Sequence, residues 1–404
     1  MKAISRLCSV IAAIAVMTAC SEKEGAPGIG AGINTKGVTI TFDKSVIKAD
    51  GNDVVTFKAY YDGRDVSDQA KFYNIVDGKP KRMNGSTFAA TQVGSYIFWA
   101  TCNTGQSERV TISAISKDIP AAASDNNPSN TSFVRRTFFN QYTAGTCIWC
   151  PYMTHLLHKT MKDGYEDKVV LASVRSGESG FAQLSNPSSG LPYLHIDYSM
   201  GYDHQMASQA AVDRLRNLID EVVEKPAVAG ISANTKYYEE DGQILVKVAV
   251  KAAQADEYNV GLWLMQDNVY VPQSFKDEAN ANALDGTWKP GSPLNNPYSY
   301  HNNTIRVAES RYLGAHVGYP LGMLQAGQTA EWIFLVNVNL GEGIDKNDDG
   351  KIDHNDGSWW AGWEKVNLDD LHFAAFVTNH KGNVYTVVNA IDFPYNGCVA
   401  FEYK

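Results

Sequence analysis

The chain has 404 residues and 44% hydrophobic residues, which is enough for two or three domains with ordinary cores. Its formal net charge of −9 argues against nucleic acid and anionic membrane surfaces as partners, because both would repel it. The 21 tyrosines fit a folded, β-rich extracellular protein.

The first twenty residues predict export. Lys2 and Arg6 provide positive charge, and residues 7–16 form an apolar run that is too short to span a bilayer. The sequence Met-Thr-Ala-Cys that ends at Cys20 resembles a bacterial lipobox, which implies a signal peptide over residues 1–19 and a lipid on the Cys20 sulfur. That lipid would hold the protein in the outer membrane. The alternative is a plain secretory signal with an incidental cysteine.

A flexible tether is expected over residues 20–36, which are rich in glycine. Its acidic start, Ser-Glu-Lys-Glu from Ser21, resembles the export tag of Bacteroidota surface lipoproteins and so implies exposure at the cell surface. A position facing the periplasm stays open. No later apolar run reaches membrane length, so the lipid is the expected anchor.

Residues 37–115 predict an all-β sandwich, because short runs of alternating apolar residues are separated by turn signals. The runs are Val38-Ile40-Phe42, Val55-Phe57-Ala59, Tyr96-Phe98-Ala100 and Val110-Ile112. The stretch from Gly94 to Ala100 resembles the late strand of bacterial immunoglobulin-like domains. The resemblance implies a spacer or binding module without chemistry, in which Cys102 is a buried thiol.

Residues 116–131 have the composition of a linker, and a different texture begins at residue 132. Over residues 132–226 strands alternate with helices, which predicts an α/β domain. The predicted elements are a strand over 133–139, a helix over 147–161, a doubly covered strand over 169–174 and a second helix over 204–224.

Cys147 and Cys150 are the most informative residues of the chain. Two cysteines three apart at a helix start can close a small disulfide ring, and the positive end of the helix dipole stabilises a thiolate there. In an exported protein the surroundings are oxidising, which favours a disulfide or a redox pair over a zinc site.

The order of elements, the CxxC motif and the stretch Gly-Leu-Pro-Tyr-Leu around Pro192 together resemble a thioredoxin-like domain over residues 132–226. The resemblance implies that Pro192 is a cis-proline opposite the disulfide. It also implies that Cys147 is the exposed nucleophile and Cys150 the resolving thiol, with Pro151 in the first helical turn.

Several residues depart from the thioredoxin pattern. Thr146 stands in the place of a tryptophan, and Ile148 and Trp149 replace the usual Gly-Pro pair. Asn140 and Gln141, in the strand before the motif, offer no carboxylate as a buried proton acceptor. Redox exchange and an inert structural disulfide on the same fold therefore both stay open.

A zinc site built from Cys147, Cys150, His155 and His158 is a further possibility in the sequence. Along a helix with a rise of 1.5 Å per residue, Cys147 and His158 would lie about 16 Å apart. A single zinc ion with ligands at ~2.0–2.3 Å cannot bridge that span. Two solvated histidines are the better interpretation.

Residues 227–404 return to period-two texture and predict a second all-β sandwich. The runs are Ile231-Ala233-Thr235-Tyr237, Ile244-Val246-Val248-Val250, Leu262-Leu264, Trp332-Phe334-Val336 and Phe373-Ala375-Val377. Glu239 to Gly242 forms a good hairpin turn between two of these runs. The predicted fold class is thus multidomain: an immunoglobulin-like sandwich, an α/β thioredoxin-like domain and a β-sandwich.

The CxxC motif, the Gln266 to Gln273 stretch and the segment Tyr-His-Asn-Asn-Thr-Ile-Arg ending at Arg306 resemble one family over residues 133–404. It is the Omp-twenty-eight-related outer-membrane lipoprotein family of Bacteroidota, to which this chain adds an amino-terminal domain. The resemblance implies an outer-membrane or surface protein of unsettled activity. His301 and Arg306 are candidates for a site, although a hydrogen-bonded structural role is the favoured interpretation.

A calcium loop is predicted inside the second sandwich. Its twelve positions place side-chain oxygens at 1, 3, 5, 9 and 12, glycine at 6 and a carbonyl ligand at 7. The predicted ligands are Asp345, Asn347, Asp349, Lys351 through its carbonyl, Asp353 and Asp356. The final aspartate resembles dockerin-type loops, and a structural calcium ion is expected. The alternative is an acidic solvated turn.

Two functions follow from these patterns. The first is thiol–disulfide exchange with a protein client, carried out by Cys147, Cys150 and Pro192. The second is binding or adhesion at the cell surface, with a surface ligand and the thioredoxin-like unit as a scaffold. A hydrolase is not supported, since no nucleophile–base arrangement is present in the sequence. Cys102 and Cys398 are expected to be lone buried thiols.

Overall fold

The computed structural model describes residues 37–178, 181–188, 190–203, 208–275, 297–338 and 366–404. Within these ranges most regular structure is β-strand, arranged in several sheets, and two α-helices lie in the central part of the chain. The β-rich part of the predicted fold class is therefore confirmed.

The first ten strands form two sheets that enclose their own core. The strands are β1 (Val38–Phe42), β2 (Val46–Lys48), β3 (Val54–Tyr61), β4 (Arg64–Asp65), β5 (Lys71–Val76), β6 (Lys79–Arg82), β7 (Thr87–Ala89), β8 (Gly94–Cys102), β9 (Gly105–Gln106) and β10 (Val110–Ile115). One sheet has the order β1-β3-β4 with β7 on β3, and the other has β2-β10-β8-β5-β6 with β9 on β8. Alternate residues point inward, including Ile40, Phe57, Phe98 and Cys102.

The central part holds four strands and both helices. They are β11 (Thr137–Thr143), α1 (Cys150–Thr160), β12 (Val169–Arg175), β13 (Tyr193–Ile196), β14 (Met200–Tyr202) and α2 (Gln209–Val223), with a 3-10 helix over Glu166–Lys168. β11 pairs in parallel with β12 and antiparallel with β13, and β13 pairs antiparallel with β14. The two helices pack on one face of these strands through Met153, Leu157, Leu215 and Ile219.

Two boundaries differ from the sequence prediction. The strand predicted from Phe133 begins at Thr137, because Phe133 pairs with Tyr403 and the Arg136 N–H donates to the Asn389 side chain at 3.0 Å. The helix predicted from residue 147 begins at Cys150, because the preceding residues form a turn. Long-range partners set the start of the strand, whereas a local turn sets the start of the helix.

The described residues from 227 to 404 contribute eleven strands. They are β15 (Ala229–Tyr238), β16 (Gln243–Ala252), β17 (Asp256–Gln266), β18 (Val269–Tyr270), β19 (Tyr300–His301), β20 (Thr304–Glu309), β21 (Tyr319–Leu324), β22 (Thr329–Asn337), β23 (Leu371–Lys381), β24 (Val384–Pro394) and β25 (Cys398–Val399). Short 3-10 helices cover Glu239–Asp241, Pro297–Ser299 and Leu368–Asp370. At the predicted hairpin turn, Gly242 takes the left-handed conformation with φ 58°.

One sheet of nine strands runs through the central and last parts of the chain. Its order is β14-β13-β11-β12-β20-β17-β23-β24, with β21 on β17, and Ser173 of β12 pairs with Thr304 of β20. A second sheet, β22-β16-β15-β25, packs against the β17–β24 portion through residues such as Val246, Phe334 and Phe373. The nine-stranded sheet thus contains strands from both sides of the boundary expected at residue 226.

The nine-stranded sheet curls, so that β24 returns to β11. The Val387 N–H donates to the Asp197 carbonyl at 3.0 Å, which ties β24 to the residue after β13. The curled face encloses Phe138, Trp263 and Phe376, whose ring centroids lie 5.0–5.2 Å apart. The face of β11 opposite the helices is therefore covered by β17, β23 and β24.

Cys398 differs from its predicted environment. It lies in the two-residue strand β25, pairs with Asn234 and has an exposed side chain. The expected burial is wrong because β25 is the edge strand of its sheet and leaves one face to solvent. Cys102 is buried, as expected, and both thiols are free.

Candidate thiol–disulfide site

Cys147 and Cys150 form a disulfide with a Cα–Cα distance of 5.4 Å. Cys150 is the first residue of α1 and is fully buried, whereas Cys147 is half-buried in the turn before the helix. Its neighbours Thr146 and Ile148 are exposed. Cys147 is therefore the outer sulfur and Cys150 the inner one, although Cys147 is half-buried and not exposed as the thioredoxin resemblance implies.

The first turn of α1 suits a reactive sulfur. Pro151 occupies that turn, where a missing N–H removes no helical hydrogen bond. The free N–H groups and the dipole of a helix start stabilise negative charge nearby. A thiolate that forms on a cysteine before the helix is stabilised by the same field.

Pro192 lies at the end of the sheet from which the cysteine loop leaves. The peptide bond between Leu191 and Pro192 is cis. Tyr193, which follows, pairs with Tyr142 at the end of β11, five residues before Cys147. The topology thus places Pro192 and the start of the cysteine loop at the same sheet end.

The loop between β11 and α1 is fixed by a buried acidic side chain. Glu178, which follows β12 and is 4% exposed, accepts a hydrogen bond from the Gly145 N–H at 2.5 Å. Arg175, at the end of β12, is fully buried and forms an ion pair with Glu178 through Nε and Nη2. The pair ties the cysteine loop to the neighbouring strand.

The other edge of the loop contacts the last third of the chain. The Gln273 side-chain amide donates to the Cys147 carbonyl at 2.9 Å and lies 3.3 Å from the carbonyls of Ala144 and Gly145. The Ser274 N–H donates to the Gly145 carbonyl at 2.7 Å. The surroundings of the disulfide thus include residues far from it in sequence.

Burial lowers the pKa of two basic side chains near the loop, Arg175 and His301. Burial lowers the pKa of the Arg175 guanidinium, and the Glu178 carboxylate opposes that shift. Burial and the charge of Arg175 lower the pKa of His301 well below its usual range, so its imidazole is neutral. The His301 ring lies 3.1 Å from the Val271 carbonyl oxygen, and the Arg306 guanidinium lies 5.0 Å from the Phe181 ring centroid.

Glu178 and Gln273, which contact the cysteine loop, were missed in the sequence. Asn140 and Gln141, in the strand before the motif, are buried, and the Gln141 amide donates to Thr154 of α1 at 3.0 Å. The buried carboxylate comes instead from Glu178, after the next strand. Its spacing of three from Arg175 is a weak signal, and no local pattern marks Gln273, which is 126 residues from Cys147.

The two histidines of α1 lie in different surroundings. The Tyr298 hydroxyl lies 2.8 Å from the His155 Nδ1, and His158 is exposed. Among the described residues, no group of three or more His, Cys, Asp and Glu side chains is placed to hold a metal ion. The expectation of two solvated histidines holds for His158 but not for His155, which is half-buried against Tyr298.

The predicted lipidation site Cys20 and the predicted calcium loop from Asp345 to Asp356 lie outside the described residues. In the described part of the chain, no helix is both long and apolar enough to cross a membrane.

The likenesses of this chain to solved structures are distant. No protein-family model and no curated protein matches the chain. Among solved structures it is similar to HBP35 of Porphyromonas gingivalis, at 14% identity and a TM-score of 0.43, over 66% of this chain and 76% of that one. It is also similar to the sporulation control protein Spo0M of Bacillus subtilis, at 12% identity and a TM-score of 0.21, over 41% and 49% of the two chains. Neither likeness is close enough to define an activity.

Proposed function

We propose that this protein carries out thiol–disulfide exchange at Cys147 and Cys150, on a thioredoxin-like unit formed by residues 132–226. The observation that carries the proposal is the disulfide itself, with a half-buried outer sulfur and a fully buried inner sulfur at the start of α1. The strand order β14-β13-β11-β12, with β13 antiparallel and preceded by a cis-proline, supports it.

The chemistry follows from the positions of the two sulfurs. A thiolate of a client dithiol attacks the Cys147 sulfur, and the Cys147–Cys150 bond breaks as Cys150 leaves as a thiolate. The second client thiolate then attacks the client sulfur of the mixed disulfide and releases Cys147. The client loses two electrons and two protons and becomes a disulfide, and the protein becomes a dithiol. With a client disulfide the same steps run in reverse, starting from the Cys147 thiolate.

The proposal is tested by trapping the mixed disulfide. All variants carry Cys398→Ser, because that thiol is exposed and would react by itself. Cys150→Ser removes the resolving thiol, so a covalent adduct with a model client peptide should accumulate on Cys147. Cys147→Ser leaves only the buried thiol and should give at least tenfold less adduct. Equal labelling of the two variants would contradict the assigned roles.

The reduction potential separates exchange from a structural role. A potential in the range of about −120 to −270 mV, typical of exchange proteins, is expected. A value below about −300 mV would mark a structural disulfide. In that case the second candidate, a cell-surface binding or adhesion protein, gains support. The observation that favours it is the amino-terminal sandwich, which has its own core and lies apart in sequence from the disulfide.

The location and the ion belong to the same proposal. An exported protein with a lipid on Cys20 would sit in the outer membrane, exposed at the cell surface or facing the periplasm, as in the Omp-twenty-eight-related family. A Cys20→Ser variant should leave the membrane fraction and appear in the soluble one.

A structural calcium ion held by Asp345 to Asp356 should raise the melting temperature of the wild type but not of Asp349→Ala.

A further inference from the structure

A short segment from the last third of the chain covers the loop that leads to Cys147. This segment, Val271–Ser274, follows β18 and is called the clamp below. Gly145 of the loop lies against it so closely that a Cβ atom there would meet the Pro272 carbonyl oxygen at 2.6 Å and the Val271 Cγ1 at 2.9 Å. The clamp and the loop are therefore in backbone contact.

Gln273 makes the polar contacts of the clamp. Its side-chain amide donates to the Cys147 carbonyl at 2.9 Å and lies 3.3 Å from two further loop carbonyls. Gln273 is only 8% exposed, and its own N–H donates to the Ser299 hydroxyl at 3.1 Å. Because the backbone N–H and the side-chain amide of Gln273 are both hydrogen-bonded, the side chain has little freedom. It therefore acts as a fixed donor for the Cys147 carbonyl.

Gly145 also holds the opposite edge of the loop. The Gly145 N–H donates to Glu178 at 2.5 Å, while its carbonyl accepts the Ser274 N–H at 2.7 Å. Both polar groups of Gly145 are thus bound, one to the strand side and one to the clamp. The loop is fixed in the geometry in which Cys147 and Cys150 are bonded.

A fixed loop changes the equilibrium between disulfide and dithiol. Closing a disulfide orders the residues between and beside the cysteines, and this costs conformational entropy unless they are already ordered. We propose that Gln273 is a positioning residue that stabilises the Cys147–Cys150 disulfide relative to the dithiol and so lowers its reduction potential. The inference rests on the proposed exchange function for its biological role. By linkage, reduction must also weaken the clamp.

The test equilibrates full-length protein with glutathione buffers, in which two glutathione thiols supply two electrons and two protons and become one disulfide. All proteins carry Cys398→Ser, and the fraction of dithiol is measured by thiol alkylation. Gln273→Met keeps the side-chain volume but removes the donors. Its equilibrium constant for disulfide formation should fall about tenfold, which is about 30 mV for a two-electron couple. Gln325→Met, the same change at an exposed turn, should match the parent protein.

A second variant reaches the clamp without touching Gln273. Gly145→Ala forces the loop away from Pro272 and should also lower the equilibrium constant for disulfide formation. This variant tests the inference if Gln273→Met does not fold. A folded Gln273→Met protein within twofold of its parent would overturn the inference. Hydrogen exchange gives the reciprocal readout, since the Ser274 amide should exchange faster in the dithiol form.

The two proposals fail separately. If the parent protein exchanges with clients and Gln273→Met leaves the equilibrium constant unchanged, the inference about Gln273 is wrong and the proposed function stands. If the parent protein does not exchange and Gln273→Met shifts the equilibrium constant, the proposed function is wrong and the inference about Gln273 stands.

Discussion

At the scale of single residues, partly buried polar side chains tie the strands together. His372 of β23 is one of them: its Nδ1 lies 2.9 Å from the Asp392 carboxylate and its Nε2 lies 3.4 Å from the Asp267 carboxylate. Burial lowers the pKa of His372, but hydrogen bonds and charge from Asp267 and Asp392 outweigh it and raise the pKa to about 9. The imidazolium therefore links the ends of β17, β23 and β24.

This raised pKa predicts a loss of stability in alkali. The folded pKa of about 9 exceeds the unfolded value near 6.5, so the native state binds the proton more tightly. The stabilisation is fully present below pH 6.5 and is lost as the pH rises through about 9. We expect the free energy of unfolding to fall by about 2–3 kcal/mol over that window. Urea unfolding at pH 6, 7.5 and 9.5 measures it.

His372→Gln should abolish most of that pH dependence. The control is His380→Gln, which removes a more exposed histidine whose Nε2 lies 2.9 Å from Glu257. The control should keep the slope of the wild type. A wild-type free energy of unfolding that is flat between pH 6.5 and 9 would contradict the assignment.

A second residue-scale prediction concerns Gly261 of β17, which stands opposite Phe376 of β23. A Cβ atom at Gly261 would lie 2.3 Å from the Phe376 ring, and that ring packs between Phe138 and Trp263. Gly261→Ala should therefore destabilise the protein by about 1–3 kcal/mol, since the ring cannot move freely. Gly94→Ala, where the nearest atom is 3.9 Å away, is the matched control. Equal unfolding midpoints in urea for the two variants would refute the prediction.

At the scale of elements, the local sequence pattern predicts that a strand exists better than it predicts where the strand begins and ends. The runs around Phe57, Val246 and Phe373 appear as strands because alternation along a half-buried strand is a local property. The start of β11 is not local, since it depends on the contact of Phe133 with Tyr403 at the end of the chain. The same reason explains the site: the cysteine spacing is local, whereas Gln273 reaches the loop only through the tertiary fold.

The segment over residues 116–131 has linker composition but is bound to β15 and β16. Lys251 of β16 is 1% exposed, and its Nζ lies 2.9 Å from the Asp125 carboxylate and 2.6 Å from the Pro128 carbonyl oxygen. Asp118 pairs with Lys236 at 3.6 Å, but Asp118 is 86% exposed. One segment thus carries a buried ion pair and an exposed one.

These two pairs predict different costs. Asp125→Ala leaves the Lys251 charge buried without its carboxylate and should destabilise the protein by about 2 kcal/mol. Asp118→Ala removes an exposed pair and should cost less than about 0.5 kcal/mol. Urea unfolding of both variants at neutral pH makes the comparison. If Asp125→Ala cost no more than Asp118→Ala, the segment would not be anchored through Lys251.

At the scale of the whole molecule, the continuous sheet decides how the chain folds. The composition of residues 132–226 suggests a separate α/β unit, but the face of β11 and β12 away from the helices buries Phe138, Val170 and Val174 against strands that come later. The sequence pattern indicates that both faces of these strands are apolar, but it does not indicate which elements cover them. The curl that brings β24 back to β11 is a property of the assembled sheet.

This arrangement predicts the behaviour of fragments. Residues 132–226 alone would expose the apolar face that Trp263 and Phe376 cover, so this fragment should lack a cooperative unfolding transition. Residues 116–404 keep both sheets and should unfold in one transition, and residues 37–115, with their own core, should fold alone. Circular dichroism during thermal unfolding distinguishes these outcomes. A cooperative transition in the 132–226 fragment would show that the thioredoxin-like unit is independent, and that the shared sheet only docks it.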